Sequence, residues 1–322
     1  MIKKLILALA TVLIAGPAAA ETFPTKPVTI IVGTAPGGTL DALARLVAKG
    51  LSPLLDQPVV VENTTGAGGL VGAQRLVRSD ADGHTLNFTN MSMVIIPHLY
   101  PKAGLDPLKD MIPVGNVATV PMVLSVSNRS GIKDLPDLLA RAKQNPGKLN
   151  FGNGGAGTTA HLSEAMFLNM TKADAALVQY RGSGPAIADL MAGTIDAVID
   201  QTVTMMPLHA GKRIKAIAIS TPKRVPQMAD VPTFAEGGVP QFDLQIWNGL
   251  LAPKGTPKPV IDKLAAALSK VIDSPEFKER LETLAATAPA MNERGSEPMR
   301  KLMERDSARV AELVKAIGLK PQ

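Results

Sequence analysis

Short apolar runs alternate along this chain with stretches whose apolar positions recur every three or four residues. Val28 to Val32 (VTIIV) is β-branched throughout, as expected of a strand buried on both faces. Thr39 to Leu54 carries Leu40, Leu43, Leu46, Val47 and Leu51 at helical spacing. Val59 to Glu62 then reads as a strand, Leu70 to Val77 as a helix and Thr85 to Thr89 as a strand. This βαβαβ opening implies a parallel sheet with right-handed crossovers. Tyr100 to Pro113, rich in proline and polar residues, reads as a break. Strands are expected next at Met122 to Ser127, Leu149 to Phe151, Ala176 to Tyr180, Ala197 to Asp200 and Ile214 to Ser220, with helices at Leu135 to Lys143 and Thr159 to Met170. The last third is helical. Thr256-Pro257 opens a helix striped by Val260, Ile261, Leu264, Leu268, Val271 and Ile272. Ser274-Pro275 and Ser296 to Pro298 open two more, and Gly318 ends the last.

Three glycine-rich stretches each follow a strand and lead into a helix: Gly33 to Asp41 (GTAPGGTLD), Asn63 to Gly72 (NTTGAGGLVG) and Gly152 to His161 (GNGGAGTTAH). Glycine lets the backbone approach a ligand, and the first amides of a helix have no intrahelical partner. With the positive end of the helix dipole these make an anion site. Three such loops in the first half of the chain point to a protein organised around holding a small anion.

The start of the chain reads as an export signal: Lys3 and Lys4, an apolar run from Leu5 to Gly16, then Pro17 and Ala18-Ala19-Ala20. The apolar run is shorter than the ~20 residues a membrane span needs, and cleavage is expected after Ala20. What remains suffices for two domains. Setting aside Lys3 and Lys4, the basic side chains exceed the 28 acidic ones by four, without clustering. Aromatic residues make up 3% of the chain and Trp247 is its one tryptophan, so no stacking platform for nucleic acid is evident. With no cysteine, disulfides, thiolate metal sites and a cysteine nucleophile are excluded.

Catalytic readings find little support. Gly152-Asn153-Gly154-Gly155-Ala156-Gly157 matches a dinucleotide fingerprint, but Asp174 precedes the next strand instead of ending it. His84, His98, His161 and His209 show no zinc-ligand spacing. His161 and Glu164 share a helix face and read as a surface pair. Ser183 in Gly182-Ser183-Gly184 is not a nucleophile elbow. Asp196 and Asp200, four apart on a strand, would stand ~13 Å apart, too far for a catalytic dyad. An exported hydrolase is the alternative of a different class, and no cofactor or metal is implied.

Phe23-Pro24-Thr25-Lys26-Pro27 followed by VTIIVGTAPGGTLDALAR resembles the opening of the Bug (TctC-like) family, the extracytoplasmic solute receptors of tripartite tricarboxylate transporters. So do Val59 to Asn63 with GAGGLVGA, Asp82-Gly83-His84-Thr85-Leu86, and Phe151 to Gly155 continuing to His161-Leu162. Tyr180-Arg181-Gly182 and Trp247-Asn248-Gly249-Leu250-Leu251-Ala252-Pro253-Lys254-Gly255-Thr256-Pro257 complete the series. The resemblance runs through the chain after the leader, in the family's order.

It implies an α/β, type II-like periplasmic binding protein with two α/β lobes, a crossing-strand hinge and the ligand in the interlobe cleft. Lobe 1 would comprise residues 21–122 with 248–322 and lobe 2 residues 123–247. A ligand carboxylate would sit between the first-strand loop, with Thr34, Ala35, Gly37, Gly38, Thr39 and Asp41, and a second-lobe loop with Asn153, Gly154, Ala156, Gly157, Thr158, Thr159 and His161. Asp41 suits helix capping better than contact with an anion, whereas Thr158 and Thr159 suit capping and carboxylate binding equally. The Asn63 to Gly72 loop either joins the site or packs its own helix. Trp247 suits hinge packing and Arg181 a solvated position. Many relatives carry an aromatic residue at the position of Thr34 and proline at that of Gly33. Losing that ring predicts a wider pocket lined by Phe88, Asn90 and Ser92, and an aromatic carboxylate or dicarboxylate as ligand. Asp200 and Gln201 would receive a ligand hydroxyl, amine or protonated acid, or simply form a strand-end turn. The implied partners are a small carboxylate and the transporter's membrane subunits. A ligand sensor for a two-component system would use the same fold.

Overall fold

The computed structural model describes residues 23–321; the expected leader and its cleavage site lie outside them. The chain opens as read. Strand β1 (Val28–Val32) leads to α1 (Thr39–Leu55), β2 (Val59–Asn63), α2 (Leu70–Val77) and β3 (Thr85–Asn90), with β1 parallel to both β2 and β3. The helical spacing of α1 buries Leu40, Leu43, Val47 and Leu51. Each such side chain removed from water stabilises the fold by about 1.5–3 kcal/mol.

Helices α3 (Ser92–Leu99) and α4 (Pro107–Asp110) then precede a 16-residue strand, β4 (Met111–Val126). The sequence predicts a break through Pro113 and a strand only from Met122. Pro113 and Gly115 are accommodated where the ladder is irregular: the register shifts between them and again between Asn116 and Ala118. Such bulges are where proline is tolerated in a sheet.

The second lobe contains α5 (Leu135–Gln144), β5 (Asn150–Asn153), α6 (Thr159–Thr171), β6 (Ala176–Gln179), α7 (Ser183–Ala192), β7 (Ala197–Gln201), α8 (Thr202–Ala210) and β8 (Lys215–Ile219). The chain returns along β9 (Gln245–Pro253) and finishes with α9 (Lys258–Asp273), α10 (Pro275–Thr283) and α11 (Ser296–Ala316).

The strands follow the order β2-β1-β3-β9-β4-β7-β5-β6, with β8 also on β4. Strand β4 joins the two lobes. Met111 to Pro121 pairs antiparallel with β9, whereas Met122 to Val126 pairs with β7 and β8. Strand β9 runs back beside it and also pairs with β3. These two strands cross between the two α/β lobes, as expected of a hinge. Trp247 on β9 is buried and donates from Nε1 to Asp306 Oδ2 of α11 at 3.0 Å, which ties the C-terminal helix to the hinge.

Candidate functional site

The strands of both lobes end at the same cleft, and each hands the chain to a helix there. Thr34, Gly38, Thr39 and Leu40 from the β1–α1 turn, with Asn90 and Ser92 from β3–α3, face Thr158, Thr159, Ser183, Asp200 and Gln201 of lobe 2 across a cavity of about 20 Å³. The N-termini of α1, α3, α6, α7 and α8 therefore converge on it. Gly38 caps α1 and Gly182 caps α7 without any side-chain bond to the first turn. First-turn amides in such helices are available to an acceptor, so the groups that favour an anion here are backbone donors and helix dipoles, not cationic side chains. Among the described residues no Lys or Arg lines this cavity and no cluster has the makings of a metal site.

The lobes are in contact. Ala35 N donates to Arg181 O at 3.2 Å, and Tyr100 Oη donates to Ala156 O at 3.3 Å. Asn90 Nδ2 lies 3.5 Å from Thr159 Oγ1, and the Thr39 and Thr204 hydroxyls are 3.4 Å apart. This approach depends on glycine. A Cβ on Gly184 would stand 2.3 Å from Pro36 O, and one on Gly68 2.1 Å from Ala156 O. Gly68 also has φ +63°, a conformation costly for other residues. The structure is thus the closed form.

Other residues expected at the site support it from outside the cavity. Asp41 accepts from Arg45, from Asn63 Nδ2 and from Gly37 N. Burial alone would raise its carboxyl, but these hydrogen bonds outweigh burial and hold it below the ordinary range. Asn153 orders its own loop, accepting from Gly155 N and donating to Glu164 Oε2 at 2.9 Å. Gly154 and Ala156 line a neighbouring groove of about 270 Å³ with Gly66 to Gly68, Tyr100 and Arg181, and Arg181 is exposed. The Asn63 to Gly72 loop thus meets lobe 2 but not the cavity. Gly157 sits against Ile96 and Tyr100. Phe88 is a correction: it is fully buried, in register with Val32 and Leu250 inside the sheet, and no ring lines the cavity.

His161 and Glu164 correct a second expectation, since both are buried rather than a surface pair. Burial lowers the His161 pKa, and Nδ1 has no hydrogen-bond partner among the described residues. Burial pushes Glu164 up to about 8, against hydrogen bonds from Asn153 and Ile199 N, with the Asp200 charge adding to the rise. Asp200 is likewise raised by burial, while the nearby Ser183 hydroxyl and the Gln201 amide pull it back. Gln201 Oε1 accepts from Asn248 Nδ2 of β9 at 2.8 Å, linking the cavity to the hinge. Sequence reasoning missed Ser183 and Asn248 as parts of the site. The Gly-Ser-Gly turn was the available signal, because Gly182 (φ +145°) lies against Ala35 of the other lobe.

Known proteins share this fold, that of a two-lobed α/β periplasmic binding protein. A family model described as the tripartite tricarboxylate transporter family receptor, TctC, matches residues 43–319. A UPF0065 protein from the tcbD-tcbE intergenic region of Pseudomonas sp. (strain P51) is 38% identical over 265 residues, 82% of this chain and 79% of that protein. The structure of the periplasmic binding protein BugD superposes with a TM-score of 0.89 at 33% identity, covering 93% of this chain and all of BugD (100%). MatC from Rhodopseudomonas palustris with bound malate gives a TM-score of 0.87 at 33% identity, covering 91% and 100%.

Proposed function

Because the chain belongs to the tripartite tricarboxylate transporter receptor family, we propose that this solute-binding protein captures a small carboxylate in the periplasm and delivers it to a tripartite tricarboxylate-type membrane transporter. The observation that carries the ligand class is the convergence of five helix N-termini on one cavity without a cationic side chain. Such a site suits a carboxylate, which is held and released unchanged in this reading. MatC, with its bound malate, is a neighbour whose ligand fits this description.

Of the expected site residues, Thr34, Gly38, Thr39, Thr158 and Thr159 are assigned direct contact with the carboxylate. Asp41 and Asn153 hold the loops in shape. The core position of Phe88 leaves no ring on the cavity wall and favours an aliphatic acid over the aromatic one expected from the loss of a ring at Thr34. The moving bodies are residues 21–122 with 248–322, and 123–247. The partner change of β4 after Pro121 and the start of β9 at Gln245 support those limits to within a few residues. Among the described residues no helix is long and apolar enough to cross a membrane.

A thermal-shift screen against mono-, di- and tricarboxylates, aliphatic and aromatic, tests the reading. A ligand that binds only the native state raises the melting temperature as its concentration exceeds Kd. A selective rise with short aliphatic acids is expected. A panel without any stabilising acid counts against the assignment, and one in which aromatic acids alone stabilise counts against the choice of an aliphatic ligand.

A further inference from the structure

Asp200 stands out among the groups around the cavity. It ends β7, is 2% exposed and lines the cavity. Its Oδ1 accepts from Gln201 N at 2.7 Å, while Oδ2 is buried with no hydrogen-bond partner among the described residues. Ser183 is near enough to ease the carboxylate's charge but makes no hydrogen bond of good geometry with it. The neighbouring side-chain donors do not reach it: Asn90 Nδ2 lies 3.5 Å from Thr159 Oγ1, the Thr158 hydroxyl donates to Gly155 O, and none is hydrogen-bonded to Oδ2. A buried acceptor without a donor is costly. No Lys or Arg stands on the cavity wall to pair with it, and a molecule entering the cavity can supply that donor.

Resting on the carboxylate reading above, we propose that Asp200 accepts a hydrogen bond from the ligand, so that the preferred ligand is a short acid with a hydroxyl or amine close to its carboxylate. The helix N-termini hold the carboxylate, and Asp200 reads the donor beside it. The Gln201 amide already donates to Oδ1, so Oδ2 is the oxygen left open to a donor on the ligand. A site built to pair a donor discriminates strongly against analogues that lack one, because its own acceptor is then left unpaired.

The test is isothermal titration calorimetry of the purified protein with acids in matched sets that differ only at the carbon beside the carboxylate. Succinate, malate and aspartate form one such set, and equivalent sets of three- and five-carbon acids complete the panel. At least about tenfold tighter binding of the hydroxy or amino acid than of its unsubstituted match is expected. In Asp200→Ala that ratio should fall to near one while the unsubstituted acid still binds. In Asp200→Asn, which keeps a carbonyl acceptor but no charge, a hydroxyl preference should survive and an ammonium preference should not. Unsubstituted acids binding as tightly as their matches would overturn the inference and leave the carboxylate reading standing, as would a ratio that survives in Asp200→Ala. Should the alanine variant fail to fold, the wild-type ratio still decides. Binding of no acid in the panel would overturn both.

Discussion

Glu164 is a carboxyl placed where water cannot reach it, held by Asn153 and the Ile199 amide instead of a cation. Its folded pKa of about 8 stands well above the ordinary 4.5. Between those values the native state keeps a proton that the unfolded chain has released. Stability therefore falls as pH rises through that window, by up to roughly 1.4 kcal/mol per unit. Below the window both states are protonated and the penalty vanishes. Glu164→Gln removes the titration while keeping the shape, so its melting temperature relative to wild type should climb from about pH 5 to about pH 8.5. His161 works in the opposite direction, losing stability as pH falls through its ordinary value of 6.5, but it is common to both proteins and cancels in the difference. Calorimetric melts at the two pH values decide it. A difference that stays flat would mean that Glu164 is ionised in the native state throughout, as it is in the unfolded chain.

Helix α7 shows how an element can be hidden in a sequence yet matter to the site. Its segment, SGPAIADLMA, carries Pro185 in the first turn and only a weak apolar stripe. Helices α3 and α8, with internal Pro97 and Pro207, are masked in the same way. By contrast, the β-branched run of β1 and the spacing of α1 were legible because one face or both are simply apolar. The glycine loops were legible as an anion site for a backbone reason that holds in any fold. What was not legible was which groups meet across the cleft: Ser183 facing Gly38, or Asp200 at the cavity wall while Asp41 turns to Arg45 and Asn63. Those depend on contacts distant in sequence. Gly184 tests the contact directly. In an open form an alanine there is harmless, and it even suits a helix slightly better than glycine. In the closed form its Cβ would meet Pro36 O at 2.3 Å. Gly184→Ala should therefore weaken carboxylate binding about tenfold or more in calorimetry, without lowering the melting temperature of the ligand-free protein. A parallel loss of stability and affinity would indicate damage to α7 rather than a wedge in the cleft.

For the whole molecule, the question is what holds the lobes together. The direct polar links across the cleft mouth are long and between neutral groups: 3.2 Å for Ala35 to Arg181, 3.3 Å for Tyr100 to Ala156, 3.5 Å for Asn90 to Thr159. A good neutral hydrogen bond contributes only about 0.5–1.5 kcal/mol net, and bonds of this length contribute less. The hinge offers little resistance either, because β4 passes between the lobes at Pro121, where no amide hydrogen is available to brace the ladder. Closure by the protein's own contacts is therefore marginal, and a ligand touching both lobes supplies the difference through its greater affinity for the closed form. Small-angle scattering should accordingly show a smaller radius of gyration when a stabilising carboxylate saturates the protein. The same ligand should compact Gly184→Ala less, since the wedge acts only on the closed state. An unchanged radius in the wild type would mean that the lobes are already closed before the ligand arrives. The cleft loops, rather than the hinge, would then have to open for it to enter.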